Sequence, residues 1–289
     1  MKNNRLTNII NFLAFLNAKK GSLYQEYRKS IELQELMQKG KVDTVFQPIL
    51  SLKEGMTLGF EILNRPQPTE LFPTTEKFYE YVGKSNDVFM IERFLRNLSL
   101  ERFSDQVKGF QHTSTPLVFL NIQPQVLADP AYRSGITLEL LEIYNLCPEQ
   151  IVLELTEKEA VTNYSQFERI IDHYRQQGFR IAVDDAGTGY NSLQTLIYIK
   201  PEFIKLDKSL IRKIDEHPEK QHLVELLFDF AIQSNTQIVA EGIESLSELK
   251  YLRKLGVHMG QGFALGKPNP ELINGKLPHA NPILRTQFA

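Results

Sequence analysis

The stretch IVLELTEKEAVTNYSQFERIIDHYRQQGFRIAVDD, Ile151 to Asp185, decides the fold. It opens on a short apolar run, Ile151 to Leu155. It then passes through Tyr164 to Gln177, which sets Phe167, Ile170, Ile171 and Tyr174 on one helical face, and returns to a second run, Arg180 to Val183. Strand, helix and strand at this spacing form a βαβ unit, whose strands lie parallel in one sheet. Both runs end in acid: Glu154 with Glu157 a turn further, and Asp184 with Asp185.

The same rhythm extends in both directions. Val45 to Leu52, Leu58 to Leu63, Leu117 to Ile122, Phe203 to Leu206, Gln237 to Ala240 and Met259 to Ala264 are further short runs rich in β-branched and aromatic residues. With the first two they make eight candidate strands, separated by helical stretches such as Leu223 to Ile232. Only four residues, Lys53 to Met56, join the first two runs, which suits an antiparallel hairpin rather than a crossover. The expected fold is α/β: a modified TIM-type (β/α)8 barrel with one antiparallel early strand. Ahead of it, residues 1 to 39 read as one or two helices, with Ile9, Ile10, Leu13 and Leu16 and, after Gly21, Ile31, Leu33, Leu36 and Met37 at helical spacing.

Seven of the eight runs end in a polar residue: Glu61, Asn121, Glu154, Asp184 with Asp185, Lys205, Glu241 and Gln261. The C-terminal ends of barrel strands converge on one face, where these folds place their active sites. Convergence would gather five carboxylates. Two of them 4 Å apart repel by about 4 kcal/mol at an effective dielectric of 20, so cations are needed. Carboxylates and the amide oxygen of Asn121 suit Mg²⁺ or Mn²⁺, and adjacent Asp184 and Asp185 suit two ions ~3.5–4 Å apart, the arrangement used for displacement at phosphorus. Lys205 would hold or polarise the attacking water. Gly187 and Gly189 permit a tight turn after the Asp pair. The segment GFALGK from Gly262 is one residue short of a P-loop, and no G-x-G-x-x-G occurs.

Composition narrows the function class. Hydrophobic residues make up 42% and charged residues 24%, enough for a large core and incompatible with general disorder. With 289 residues, one barrel or two small domains fit. Lys and Arg number 33 against 35 acids, without the surplus cation of a DNA-binding protein. No run approaches the ~20 apolar residues of a membrane span. Lys2 and Arg5 ahead of Ile9 to Leu16 only faintly mimic a secretion signal, because Asn17, Lys19 and Lys20 stand where a cleavage site belongs. Cys147 is the single cysteine, which excludes an intrachain disulfide and suits a cytoplasmic setting.

FQPI at Phe46, GFEILNR at Gly59, FLNIQPQVL at Phe119, LELTE at Leu153, DDAGTGYNSL at Asp184, IKLD at Ile204, VAEGIE at Val239 and GQGF at Gly260 resemble, in order, the motifs of the EAL-domain phosphodiesterases. That family hydrolyses cyclic di-GMP. The resemblance covers about Ile31 to Pro270, and divides the chain into a helical extension (1–30), the barrel (31–275) and a tail (276–289). It implies metal ligands Glu61, Asn121, Glu154, Asp184, Asp185 and Glu241, a water-orienting Lys205, and Glu157 as support of the loop after DDAGTG. It further implies a dinucleotide lined by Gln47, Leu63, Arg65 and Gln261, with Glu244 supporting the Glu241 loop. The implied reaction is metal-assisted water attack that opens the ring to linear pGpG, in a homodimer that answers to a regulatory protein partner.

Two positions depart from the family pattern: Ile62 replaces the alanine of EAL, and Ala186 replaces the phenylalanine of DDFGTG. On a strand, Ile62 points away from the face that bears Glu61 and Leu63. The expected cost of both changes falls on packing and loop rigidity. An inert EAL domain that only binds the dinucleotide or a protein is the alternative. A barrel glycosidase is a further one, disfavoured by five acids with a lysine and by the absence of Trp for sugar stacking.

Overall fold

The computed structural model describes residues 2–85, 87–110, 115–123, 125–126, 135–156, 164–187 and 192–278. The chain packs as two units, Met1–Asp43 with Arg65–Tyr81 and Thr44–Asn64 with Val82–Ala289.

The first unit is built on α1 (Lys2–Leu36), a single helix that continues through Gly21. Its last turns bury Leu33 and Leu36. Arg28 pairs with Glu70 at 3.2 Å, and Glu32 Oε1 accepts the backbone N–H of Leu71 at 3.2 Å. At the start of α2 (Thr75–Val82), Phe72 lies edge-on to Phe78 with centroids 5.9 Å apart and packs on Tyr81 at 5.4 Å.

The second unit is a closed eight-stranded barrel in sequential order: β1 (Val42–Ser51), β2 (Thr57–Pro66), β3 (Leu117–Asn121), β4 (Ile151–Thr156), β5 (Arg180–Ala186), β6 (Phe203–Leu206), β7 (Gln237–Ala240) and β8 (Met259–Gly260). β1 runs antiparallel to β8, and β2 through β8 run parallel in succession. The early strand is therefore the reversed one, as the short β1–β2 connection requires. Between strands the chain forms α3 (Val88–Val107), α4 (Ile136–Tyr144), α5 (Tyr164–Gln176), α6 (Ser192–Ile199), the short α7 (Lys208–Ile211), α8 (Pro218–Gln233) and α9 (Leu246–Leu255).

Strand alternation divides the core into two layers. Ile49, Phe119, Val152, Ala182, Phe203, Val239 and Met259 fill the barrel interior, with Phe119 and Phe203 edge-on at 5.3 Å. Phe60, Ile62, Val118, Leu120, Leu153, Ile181, Val183, Ile204 and Ile238 belong to the larger cluster outside it, together with residues of the helices. Ile62 is 3% exposed in that outer layer, on the opposite side of β2 from Glu61, so its extra bulk is a matter of packing.

Two strand ends differ from the sequence expectation. β5 runs on to Ala186, with a register shift between Val183 and Ala186 and Asp185 at φ +57°. Strict alternation would turn Asp184 and Asp185 to opposite faces; the bulge breaks it, and both bring a carboxylate oxygen within 4.8 Å of one on Glu241. β8 stops at Gly260 rather than Ala264. There the chain folds onto the loop after β7: Ile243 donates to Gln261 O at 3.1 Å and Ala264 to Ile243 O at 3.0 Å. A Cβ on Gly262 would lie 2.2 Å from Ile243 backbone atoms, so only glycine fits that approach.

Candidate active site

Two residues beyond each member of the inner apolar layer, the barrel turns polar. Phe119 leads to Asn121, Val152 to Glu154, Ala182 to Asp184, Phe203 to Lys205, Val239 to Glu241 and Met259 to Gln261. On the reversed β1 the same step from Ile49 runs backwards and reaches Gln47. β2 contributes Glu61, which is 7% exposed. One pleat of period two thus places eight polar side chains, one per strand, at the C-terminal mouth.

Lys205 is the centre of this ring. Its side chain is fully buried, with Nζ 2.6 Å from Glu154 Oε1, 2.8 Å from Glu241 Oε1, 3.3 Å from Asp184 Oδ1 and 3.5 Å from Glu61 Oε1. Burial alone would lower its pKa. The surrounding charges of Asp184, Glu154, Glu241 and Glu61 override it and hold the ammonium well above the usual lysine range. Lys205 therefore faces these acids as a hydrogen-bond donor. Burial drives the carboxyl of Glu154 well above the usual range, helped by Glu61 and Asp184 and opposed by Lys205. Burial likewise pushes Glu241 up to about 8, with Asp184 and Glu61 adding to the shift. One lysine does not neutralise the acids around it.

Amides hold Glu61 from either side. Asn121 Nδ2 donates to Oε1 at 3.3 Å, and Gln261 Nε2 donates to Oε2 at 2.5 Å and to Gln47 Oε1 at 3.0 Å. Gln47 in turn donates to Gly266 O at 3.2 Å.

The donor set fits divalent metal. Asp184, Asp185 and Glu241 each bring a carboxylate oxygen within 4.8 Å of the others. Buried Glu154 Oε2 has no hydrogen-bond partner among the described residues, an acceptor left open beside the excess of negative charge. Every atom offered is oxygen, the preference of a hard cation.

The other expected residues fall as follows. Leu63 follows Glu61 on the same face of β2 and is half-buried, and Arg65 is the exposed second-last residue of that strand. Ala186 is fully buried in the outer apolar cluster. Gly187 sits at φ +95°, a left-handed conformation that L side chains rarely adopt, so the tight turn after β5 needs its glycine. Glu157 and Gly189 lie outside the described residues. Glu244 forms an ion pair with Arg212.

The loop after β7 is also held by a residue that the sequence motifs did not single out. Glu248 is 3% exposed, and its carboxylate accepts the backbone N–H groups of Glu244 (2.8 Å), Ser245 (2.9 Å) and Lys213 (2.9 Å). Burial works against its charge, yet these donors hold its pKa below the usual range. Its signal was legible: Ser245-x-x-Glu248 is a capping box at the start of α9.

The comparisons agree with this geometry. A sequence profile of the EAL domain matches residues 31–268. The probable cyclic di-GMP phosphodiesterase PdeB of Escherichia coli is 29% identical over 243 residues, which is 83% of this chain and 45% of PdeB. The cyclic di-GMP phosphodiesterase PdeR of the same organism is 36% identical over 154 residues, 53% of this chain and 23% of PdeR. The chain thus spans less than half the length of either relative. Among solved structures, a standalone EAL protein from Vibrio cholerae in its c-di-GMP-bound form superposes with a TM-score of 0.69 at 26% identity, over 81% of this chain and 95% of that one. The EAL enzyme Bd1971 shares the fold, with a TM-score of 0.76 at 24% identity over 90% of this chain and 73% of that one. By the profile match, the closed barrel and its ring of inward oxygen donors, this chain belongs to the EAL domain family.

Proposed function

We propose that the chain hydrolyses one phosphodiester of cyclic di-GMP, yielding linear pGpG, with divalent Mg²⁺ or Mn²⁺ in the mouth of the barrel. The observation that carries this is the ring around Lys205: four carboxylates within 3.5 Å of one buried ammonium, Asp185 beside them and an open oxygen on Glu154. The names of the relatives and the ligand of the Vibrio cholerae protein supply the substrate.

On this reading Glu61, Asn121, Glu154, Asp184, Asp185 and Glu241 hold two ions. Bound there, the metal would lower the pKa of water and neutralise charge on the phosphate. Lys205 faces the acids as a buried ammonium. Its N–H groups orient the attacking water, whose proton passes to a facing carboxylate. Gln261 and Gln47 keep Glu61 in position. Leu63, Arg65, Gln47 and Gln261 line the dinucleotide, Arg65 offering a planar fork to a phosphate oxygen pair, and Glu157 supports the loop after β5. The setting is the cytoplasm, where exposed Cys147 stays reduced.

Incubating purified protein with cyclic di-GMP and Mn²⁺ or Mg²⁺, then resolving nucleotides chromatographically, tests the proposal. Conversion to pGpG by the wild type and not by Glu61→Ala is expected. Binding without conversion would make the chain a receptor, and no binding at all would remove the dinucleotide.

A further inference from the structure

On its outer face β2 buries Phe60 and Ile62 in the apolar cluster shared with the helices. The next residue on that face is Asn64, which is half-buried. An amide breaks the apolar pattern there, and taking one out of water is costly unless its polar atoms are paired. Asn64 is paired at both ends. Its Oδ1 accepts from Thr44 Oγ1 of β1 at 2.7 Å, and its Nδ2 donates to Ser99 Oγ at 2.8 Å and to Leu95 O at 3.3 Å, both on α3. Arg102, three residues after Ser99, donates to the same Thr44 hydroxyl at 2.8 Å. Thr44 and Ser99 are buried. The bonds run in one direction, from guanidinium to hydroxyl to amide to helix. That order fixes which way the amide faces, because turned over its oxygen would meet the carbonyl of Leu95.

The place of this clasp gives it a role. The described ladder between β2 and β3 runs from Gly59↔Leu117 to Ile62↔Leu120, whereas β2 continues to Pro66. Asn64 lies two residues past the last of these pairs, and its chain neighbours are Leu63 and Arg65, which alternation turns to the opposite face. A twist of this strand end would move both neighbours together. The side chain of Asn64 ties the end to β1 and α3 where the β3 ladder no longer does.

We infer that Asn64 is a positioning residue for substrate: by clasping the end of β2 it holds Leu63 and Arg65 in the geometry that receives the dinucleotide, without touching it. The inference rests on the cyclic di-GMP reading of the mouth. Packing alone would be served as well by a leucine, on a face where Phe60 and Ile62 already pack.

Steady-state kinetics with cyclic di-GMP and Mn²⁺ on Asn64→Leu test this, since leucine keeps the side-chain size and removes the ties. KM is expected to rise about tenfold, within the ~100-fold that a ~1 Å misplacement can cost. With kcat nearly unchanged, such a rise is the mark of lost substrate binding. Mn²⁺ affinity, read by calorimetry without nucleotide, should stay at the wild-type value, because Glu61 lies within the ladder. Thr236→Val, which removes a buried bond to Pro201 O at the opposite end of the barrel, is expected to lower the melting temperature and leave KM alone, so that destabilisation and misplacement are told apart. In an Arg65→Ala background, Asn64→Leu should raise KM by a smaller factor than in the wild type, since part of its effect passes through the lost side chain. If Asn64→Leu does not fold, Thr44→Val and Ser99→Ala carry the test, each removing one tie and each expected to raise KM. An unchanged KM, or the same factor with and without Arg65, overturns the positioning role and leaves the hydrolysis standing. A wild type that neither binds nor hydrolyses cyclic di-GMP overturns the functional reading and this inference with it.

Discussion

Lys205 Nζ lies 2.6 Å from Glu154 Oε1, and neither side chain exposes any surface. Three further carboxylate contacts surround the pair, so the ammonium is the internal counter-ion of these acids. Removing one partner of a buried ion pair commonly costs ~3–5 kcal/mol, because the other charge is left uncompensated. Lys205→Ala should therefore melt well below the wild type in EDTA. Added Mn²⁺ should restore most of the difference, since the cation replaces the lost charge. Calorimetry with and without metal checks this, and an equal melting deficit in both conditions would contradict the counter-ion role.

Gln261 is the hinge of the amide chain between β1, β2 and β8. Its single Nε2 serves Glu61 Oε2 and Gln47 Oε1. Groups that orient metal ligands are typically worth ~10–100-fold in metal affinity or activity. Gln261→Leu should lower turnover and Mn²⁺ affinity by a factor in that range while leaving the melting temperature of the metal-free protein near that of the wild type. Titration calorimetry with Mn²⁺ alone reads the affinity, and unchanged binding would show that Gln261 only lines the substrate.

The barrel was legible because its signals are periodic. Ile151 to Asp185 alternates in strand rhythm, shifts to helical rhythm and returns, and the acid after each run is one pleat beyond an apolar inner residue. What was not legible is where the chain leaves its own period. The bulge at Asp184–Asp185 and the early end of β8 at Gly260 arise from contacts with distant segments, Leu206 on β6 and the backbone of Ile243, that no local window contains. The role of Glu248 was hidden in the same way. Glu244 and Glu248 are both acids near the start of α9, and only the fold shows that the buried one takes the three backbone N–H groups.

Glu248 should accordingly matter more than Glu244. Leaving buried N–H groups without acceptors costs about 1–3 kcal/mol. Glu248→Ala should lower stability by about that amount. It should also reduce turnover through the loop carrying Glu241, whereas Glu244→Ala, which loses only an exposed ion pair, should do little. Chemical denaturation alongside steady-state kinetics separates the two. Equal effects of the two substitutions would remove Glu248 from its supporting role.

His258 gives a pH dependence of stability. It precedes β8, where its Nδ1 accepts the backbone N–H of Ile238 at 3.1 Å and its ring packs on Phe228 with centroids 5.6 Å apart. Accepting that bond requires an unprotonated Nδ1, and burial lowers the pKa below the ordinary histidine value of 6.5. The folded state thus binds the proton less tightly than the unfolded chain. The stability tied to the neutral ring is fully present above pH 6.5 and is lost as pH falls from there through the lower folded value. The melting temperature should drop between neutral pH and the mildly acidic range, and the drop should be smaller in His258→Asn, whose amide oxygen can accept from Ile238 without titrating. Parallel melting curves in a buffer series check this. A drop of the same size in both proteins would place the acid sensitivity elsewhere.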